Sequence, residues 1–314
     1  MWTSILLISA SLIFFLFLFL FFYIYGSIED YTQITNKEEL KYGKDATSKI
    51  PNIIWGYWHD SKLPPAISEC IETWQKYNPS YTINIVTDDT LHKFLPDFNI
   101  LSIKHNDCRA RVSDYIRLNL LKKYGGIYMD CSIVCTESLG WINAYQKNTD
   151  CDVVMYYING FTSNITYPVG ENWFIASIPN SELITLWLDE FNRINDFDTV
   201  SQYLDDCKSK NVDFQKIDNP TYLRCHIALQ CVLQKQYTPS MIKKQIQFIK
   251  AEQGPFLCLS KSNWDDEICA SILCKSNNSL LKTPIIKFRG GGYALANNFG
   301  KCKSTLFRDL FISS

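Results

Sequence analysis

The sequence has almost no net charge: 31 Lys plus Arg stand against 32 Asp plus Glu. A chain so balanced has no global field to hold a nucleic acid or an anionic membrane surface, so any phosphate binding must be local. It also has no internal repeat and, past its first residues, no low-complexity stretch, which excludes a repeat array. No G-x-x-x-x-G-K-[ST], G-x-S-x-G or H-E-x-x-H occurs, removing the phosphate-loop, nucleophile-elbow and zinc-hydrolase signatures. There are 12 cysteines but no C-x-x-C pair; Cys131 and Cys135 bracket an apolar run, and a zinc site has no support.

What the chain does have is apolar material: 46% of its 314 residues are hydrophobic and 14% aromatic, ample for a buried core and incompatible with general disorder. Ile5 to Tyr25 carries no charge and only two serines. As a helix at about 1.5 Å per residue this run crosses the roughly 30 Å hydrocarbon core, which predicts a transmembrane signal anchor over residues 1–25. The competing reading, a cleaved signal peptide, has a shorter apolar region and a small-residue cleavage site. Residues 26–48 are polar and aperiodic and read as a stem, leaving 49–314 as the folded body. Lys37, Lys41 and Lys44 after the span favour a cytoplasmic-facing body by the positive-inside rule. The cysteines, all beyond the anchor, and the sequons at Asn164 and Asn277 favour a lumenal one in the Golgi or endoplasmic reticulum, and this is the expected topology.

Within the body, strand and helix patterns alternate. NIIWGYW (52–58), YTINIVTDD (81–89), IYMD (127–130) and CDVVMYYI (151–158) read as strands. PPAISECIETWQKYNP (64–79) spaces Ile67, Cys70, Ile71 and Trp74 as a helix does, and RARVSDYIRLNLLKKYGG repeats Val112, Ile116 and Leu120 before a glycine stop. SELITLWLDEFNRI (181–194) and PTYLRCHIALQCVLQKQ (220–236) make the second half more helical. The fold class is therefore α/β, with a mainly parallel sheet covered on both faces and a ligand crevice at the strand carboxyl ends, where Asp88, Asp89 and Asp130 stand.

Asp114 and Arg117 are three apart on the long helix and share a face; alone, that spacing is ordinary ion-pair decoration. Gly125 and Gly126 then allow a sharp turn, and Asp130 follows at the strand end. Taken together, Ser113-Asp114-Tyr115-Ile116-Arg117 and Tyr124-Gly125-Gly126-Ile127-Tyr128-Met129-Asp130 resemble the S-D-x-x-R … Y-G-G-x-Y-x-D-x-D core of the glycosyltransferases of family 32 and the related capsular polysaccharide synthesis proteins, more distantly the glucosylating clostridial toxins. IPNIIWGYWHD, KYNPSY and ENWFIAS (171–177) extend the resemblance over about residues 49–235.

That resemblance implies a GT-A fold, a Rossmann-like architecture for nucleotide sugars, and sugar transfer from a nucleotide-diphosphate donor with retention at the anomeric carbon. By position, it implies that Asp114 hydrogen-bonds sugar hydroxyls, Arg117 contacts sugar and diphosphate, Asp130 holds the ribose and metal region, and Tyr128 lines the donor pocket. Trp55 would meet the base or fill the core.

A leaving diphosphate needs positive charge, and Mn²⁺ or Mg²⁺ prefers oxygen ligands, so a second carboxylate is expected after Asp130. Ser132 stands there instead. Strand alternation turns it to the same side as Asp130, as a weaker, neutral ligand. The tail KFRGGGYALANNFGK (287–301) offers Arg289 to the donor, with Asn297 and Asn298 as further oxygens, or is a plain surface turn. Glu171 and Asn172 are candidates for the acceptor, and His226, on an apolar helix, reads as a core histidine. The expected protein is thus a membrane-anchored glycosyltransferase acting on a glycan or glycoprotein; the alternative is a non-catalytic sugar-nucleotide- or glycan-binding relative.

Overall fold

The computed structural model describes residues 49–275 and 283–289. The expected anchor and stem, Asn277, Asn297 and Asn298 lie outside the described residues. Among those described, no helix is long and apolar enough to cross a membrane.

The elements run β1 (Ile53–Tyr57), α1 (Pro65–Tyr77), β2 (Thr82–Val86), α2 (Leu91–Phe94), α3 (Arg109–Tyr124), β3 (Gly126–Met129), β4 (Ile133–Cys135), α4 (Trp141–Thr149), β5 (Val153–Tyr157), β6 (Gly170–Ser177) and α5 (Glu182–Asn192). They continue with α6 (Val200–Ser209), α7 (Arg224–Lys235), α8 (Pro239–Gln245), β7 (Ile246–Lys250), α9 (Leu257–Lys261), α10 (Asp266–Lys275) and β8 (Ile285–Lys287). Six strands form one sheet in the order β2-β1-β3-β6-β5-β7. The β1/β2, β1/β3 and β5/β7 pairs are parallel, while β6 runs antiparallel to both neighbours. The sheet is mainly parallel as expected, with one reversed strand in its middle.

Alternation along the strands divides the core into two layers. Trp55, Tyr128, Met155 and Ile175 face one layer with α3, α5, α6 and α7. Ile54, Ile127, Val154 and Phe174 face the other, with α1 and the segment from Ala251 to Leu273. Helix α1 forms where the spacing predicts it, with Pro65 opening its first turn and Ile67, Cys70 and Trp74 on the buried side.

Helix α3 is buried almost all round, and it buries Arg111, Ser113, Asp114 and Arg117 along with Val112, Ile116 and Leu120. It stops at Gly125, whose backbone at φ 62° and ψ −156° lies in a region essentially reserved for glycine. A Cβ there would meet the Pro179 nitrogen at 2.6 Å and the Ser177 oxygen at 2.8 Å; one on Gly126 would meet the Ile53 oxygen at 2.6 Å. The two glycines thus let the helix end against the sheet and return at once as β3.

Strand β3 ends at Met129, earlier than the expected continuous run. The Ile133 amide donates to the Asp130 carbonyl at 3.0 Å, turning the chain, and β4 leaves to pair with β8 in a separate two-stranded sheet. Asp130 and Ser132 therefore sit in a turn, and the strand alternation used to orient Ser132 does not apply.

Candidate active site

Because β6 is reversed, its amino end lies beside the carboxyl end of β3. The Asp130 amide donates to the Trp173 carbonyl at 2.9 Å, fastening Asp130 against β6 just past Asn172. Helix α3 supplies the facing side chains. Arg117 Nη2 lies 3.3 Å from Asp114 Oδ1 and 3.3 Å from Asp130 Oδ1, Arg117 Nη1 donates to the Asn172 carbonyl, and Asn172 Nδ2 donates to Asp114 Oδ1 at 2.8 Å. The three residues of the sequence motif meet in space.

The pairing extends in both directions. Asp114 Oδ2 accepts from Arg111 Nη1 at 3.1 Å; Arg111 Nε lies 3.4 Å from Asp107 Oδ1, which also accepts from Arg224 Nη2 at 2.7 Å. At the other end Lys287 Nζ stands 3.1 Å from Asp130 Oδ2. The result is an alternating ladder: Arg224, Asp107, Arg111, Asp114, Arg117, Asp130, Lys287. Its four cations outnumber its three carboxylates, and both ends are cationic. The middle is dry, with the Asp114 side chain 5% exposed, whereas Asp130 opens to 28%.

Such burial is costly. It pushes the Asp114 carboxyl pKa up, even though Arg117, Arg111 and His226 pull it down. Burial likewise works against the Arg117 charge, but Tyr128, Asp130 and Asp114 outweigh it and its pKa is raised. At Asp114 burial outweighs attraction and at Arg117 attraction outweighs burial, so the ladder is a balance of pairing against desolvation.

Ser132 bears on the metal expectation. Its hydroxyl and the Asp130 carboxylate do converge, but on an ammonium: Lys287 Nζ donates to Ser132 Oγ at 2.8 Å, and Ser132 Oγ donates to the Phe288 carbonyl at 2.9 Å. Each Asp130 oxygen already faces a cation. Asp130 and Ser132 are thus engaged by protein groups, the carboxylate being shared between a guanidinium and an ammonium.

The other sequence candidates are distributed as follows. Trp55 fills the core: it is 2% exposed, Nε1 donates to the Gly125 carbonyl at 2.9 Å, and its ring meets those of Phe94 and Tyr124. It braces the glycine turn rather than facing a base. Tyr128 is also buried and offers no open pocket wall; Arg117 lies over its ring at 4.7 Å and its hydroxyl bonds Ser113 Oγ at 2.8 Å, so it props the arginine from below. Asn172 joins the ladder, whereas Glu171 is buried with its carboxylate 3.3 Å from His226 Nε2. Arg289 turns elsewhere, onto Asp266 Oδ2 at 2.8 Å and the Trp264 carbonyl. Asn164 is exposed.

The cysteines form no disulfide among the described residues: ten are free thiols, of which nine are buried. Cys207 and Cys231 come within 3.1 Å of each other and lie near Glu190, but Tyr203 and Arg193 engage that carboxylate. Sequence reasoning missed Arg111 and Lys287. Arg111 is legible in retrospect, three residues before Asp114 on one helix face; Lys287 carries no local signal, because it reaches Ser132 across 155 positions.

A glycosyltransferase of Acanthamoeba polyphaga mimivirus, described as uncharacterized, is 28% identical over 193 residues, covering 52% of this chain and 75% of the viral one. Among solved structures, the PaToxG glycosyltransferase is similar at 17% identity and TM-score 0.36, over 70% of this chain and 92% of that one. The ligand-free glycosyltransferase domain of the YGT toxin is similar at 10% identity and TM-score 0.38, over 73% and 91%. The sequence pattern of capsular polysaccharide synthesis proteins matches residues 22–284, so the chain belongs to the capsular polysaccharide synthesis protein family.

Proposed function

We propose that this protein is a GT-A-type glycosyltransferase that moves a sugar from a nucleotide-diphosphate sugar to a glycan or glycoprotein acceptor, with retention. The observation that carries the reading is the ion ladder: a buried, ion-paired polar cluster opening on Asp130 at the carboxyl end of β3, where α/β sheets bind ligands. The ladder's one excess positive charge suits a diphosphate, whose negative charge grows as the sugar bond breaks. The mimivirus relative described as a glycosyltransferase supports the same class.

The roles follow from burial. Both Asp114 oxygens are engaged inside the protein, so Asp114 and Asn172 hold Arg111 and Arg117 in place rather than reach a sugar. Asp107 is the more exposed carboxylate, at 57%, but Asp130, at 28%, is the one that stands at the carboxyl end of β3, available to donor hydroxyls. Arg117 is aimed by Asp114, Asn172 and Tyr128 at the ground in front of Asp130.

Donor turnover by the full-length protein and by Asp130→Asn tests the reading, with a panel of nucleotide sugars and released nucleoside diphosphate measured. Loss of at least about a hundredfold in the variant is expected for a group in the reacting ensemble; unchanged turnover would remove the assignment. Binding without turnover by the wild type would favour the non-catalytic alternative. We also propose that residues 5–25 anchor the protein with its body in the Golgi or endoplasmic reticulum lumen. A glycan on Asn164 supports this, and a non-glycosylated Asn164 with protease-accessible body on the cytoplasmic side rejects it.

A further inference from the structure

We propose that donor binding here needs no divalent cation, because Lys287 supplies a fixed positive charge where the second metal ligand is missing; this rests on the glycosyltransferase reading above. The geometry is specific. Lys287 Nζ lies between Asp130 Oδ2 at 3.1 Å and Ser132 Oγ at 2.8 Å, with the Phe288 carbonyl 2.8 Å away as a third acceptor. An ammonium has three N–H donors, and these three oxygens match them. The side chain is 8% exposed, so the charge is held by folding and not by chance contact with solvent.

Ser132 fits this arrangement better than an aspartate does. A hydroxyl accepts from the ammonium and donates onward to Phe288, as observed, whereas a carboxylate at that point has no proton to give the Phe288 carbonyl. The departure from the paired-carboxylate pattern and the lysine that reaches into the turn are therefore one feature. Since its donors are taken, Lys287 acts on a diphosphate through its charge and by holding Asp130 in position. It is a positioning residue.

Titration of UDP, GDP, CDP and ADP into the full-length protein, in EDTA and then in manganese, tests the inference by calorimetry. Binding of at least one nucleotide with affinities that agree within about threefold between the two buffers is expected. Lys287→Ala should weaken that binding in EDTA by about tenfold, the size of a unit charge acting at several ångströms without direct contact. Manganese should recover part of the loss, because the substitution leaves Asp130 and Ser132 open to a metal ion; a merely structural role for Lys287 gives no such rescue. Lys287→Arg should keep metal-independent binding, and carries the test alone if Lys287→Ala does not fold. Wild-type binding that vanishes in EDTA and returns with manganese would overturn the inference while leaving the function standing, as would unweakened binding by Lys287→Ala. Failure of every nucleotide in both buffers would instead remove the function, and the inference with it.

Discussion

Replacing Gly125 with alanine tests the link between backbone and site most directly. The residue sits at φ 62° and ψ −156°, where an L side chain is strained by about 1–3 kcal/mol. The added Cβ also falls 2.6 Å from the Pro179 nitrogen and 2.8 Å from the Ser177 oxygen, both backbone atoms with no rotamer to yield. Forcing that group in adds about 1–3 kcal/mol more. The combined loss, about 2–6 kcal/mol, is a large part of the 5–15 kcal/mol typical of a folded domain. Urea denaturation followed by tryptophan fluorescence reads it as a lower midpoint at unchanged slope. Any relief must come from moving β3 away from β6, so nucleotide binding should fall as well, because Asp130 is fastened to Trp173 one residue beyond that strand. A loss below about 1 kcal/mol with binding intact would refute the argument that the turn dictates the site.

Trp55→Phe should cost about 1–3 kcal/mol, since it leaves the buried Gly125 carbonyl without its indole donor, yet nucleotide affinity should hold; a specific loss of affinity at unchanged stability would return Trp55 to the donor pocket. Glu69 is pushed up to about 6 by burial and by neighbouring Glu72. The native state therefore holds its proton more tightly than the unfolded state, and this group's contribution falls as pH rises from the ordinary glutamate value through about 6. Glu69→Gln should accordingly stabilise the protein at neutral pH, by about 1 kcal/mol because the group is only part-buried and its charge partly screened, and the gain should disappear near pH 4. An equal gain at both pH values would contradict the sign.

Much of the layered fold was legible because its signals are local. The spacing of Ile67, Cys70 and Trp74, the glycine stop after α3 and the β-branched runs of β1, β2 and β5 depend only on near neighbours. The reversed direction of β6 was not legible, since a strand buried on both faces has the same residue pattern either way. Asp114, Arg117 and Asp130 do meet, but their burial was hidden: the motif spaces the side chains without saying what covers them. Trp55 shows the opposite limit, an aromatic whose two readings differ only by what stands behind it. Ser132 was misoriented by assuming that a strand ran on through a turn, and Lys287 was invisible because only tertiary structure brings it there.

The pairing of β4 with β8 has a consequence for biosynthesis. Every other rung of the ladder lies between Asp107 and Arg224, so it leaves the ribosome well before Lys287 does. A chain severed between residues 275 and 283 would retain all six strands of the large sheet, yet lose the ammonium across Asp130 from Arg117. The nascent protein can thus build its framework first, and the charge balance of the ion ladder is completed only by the last described strand.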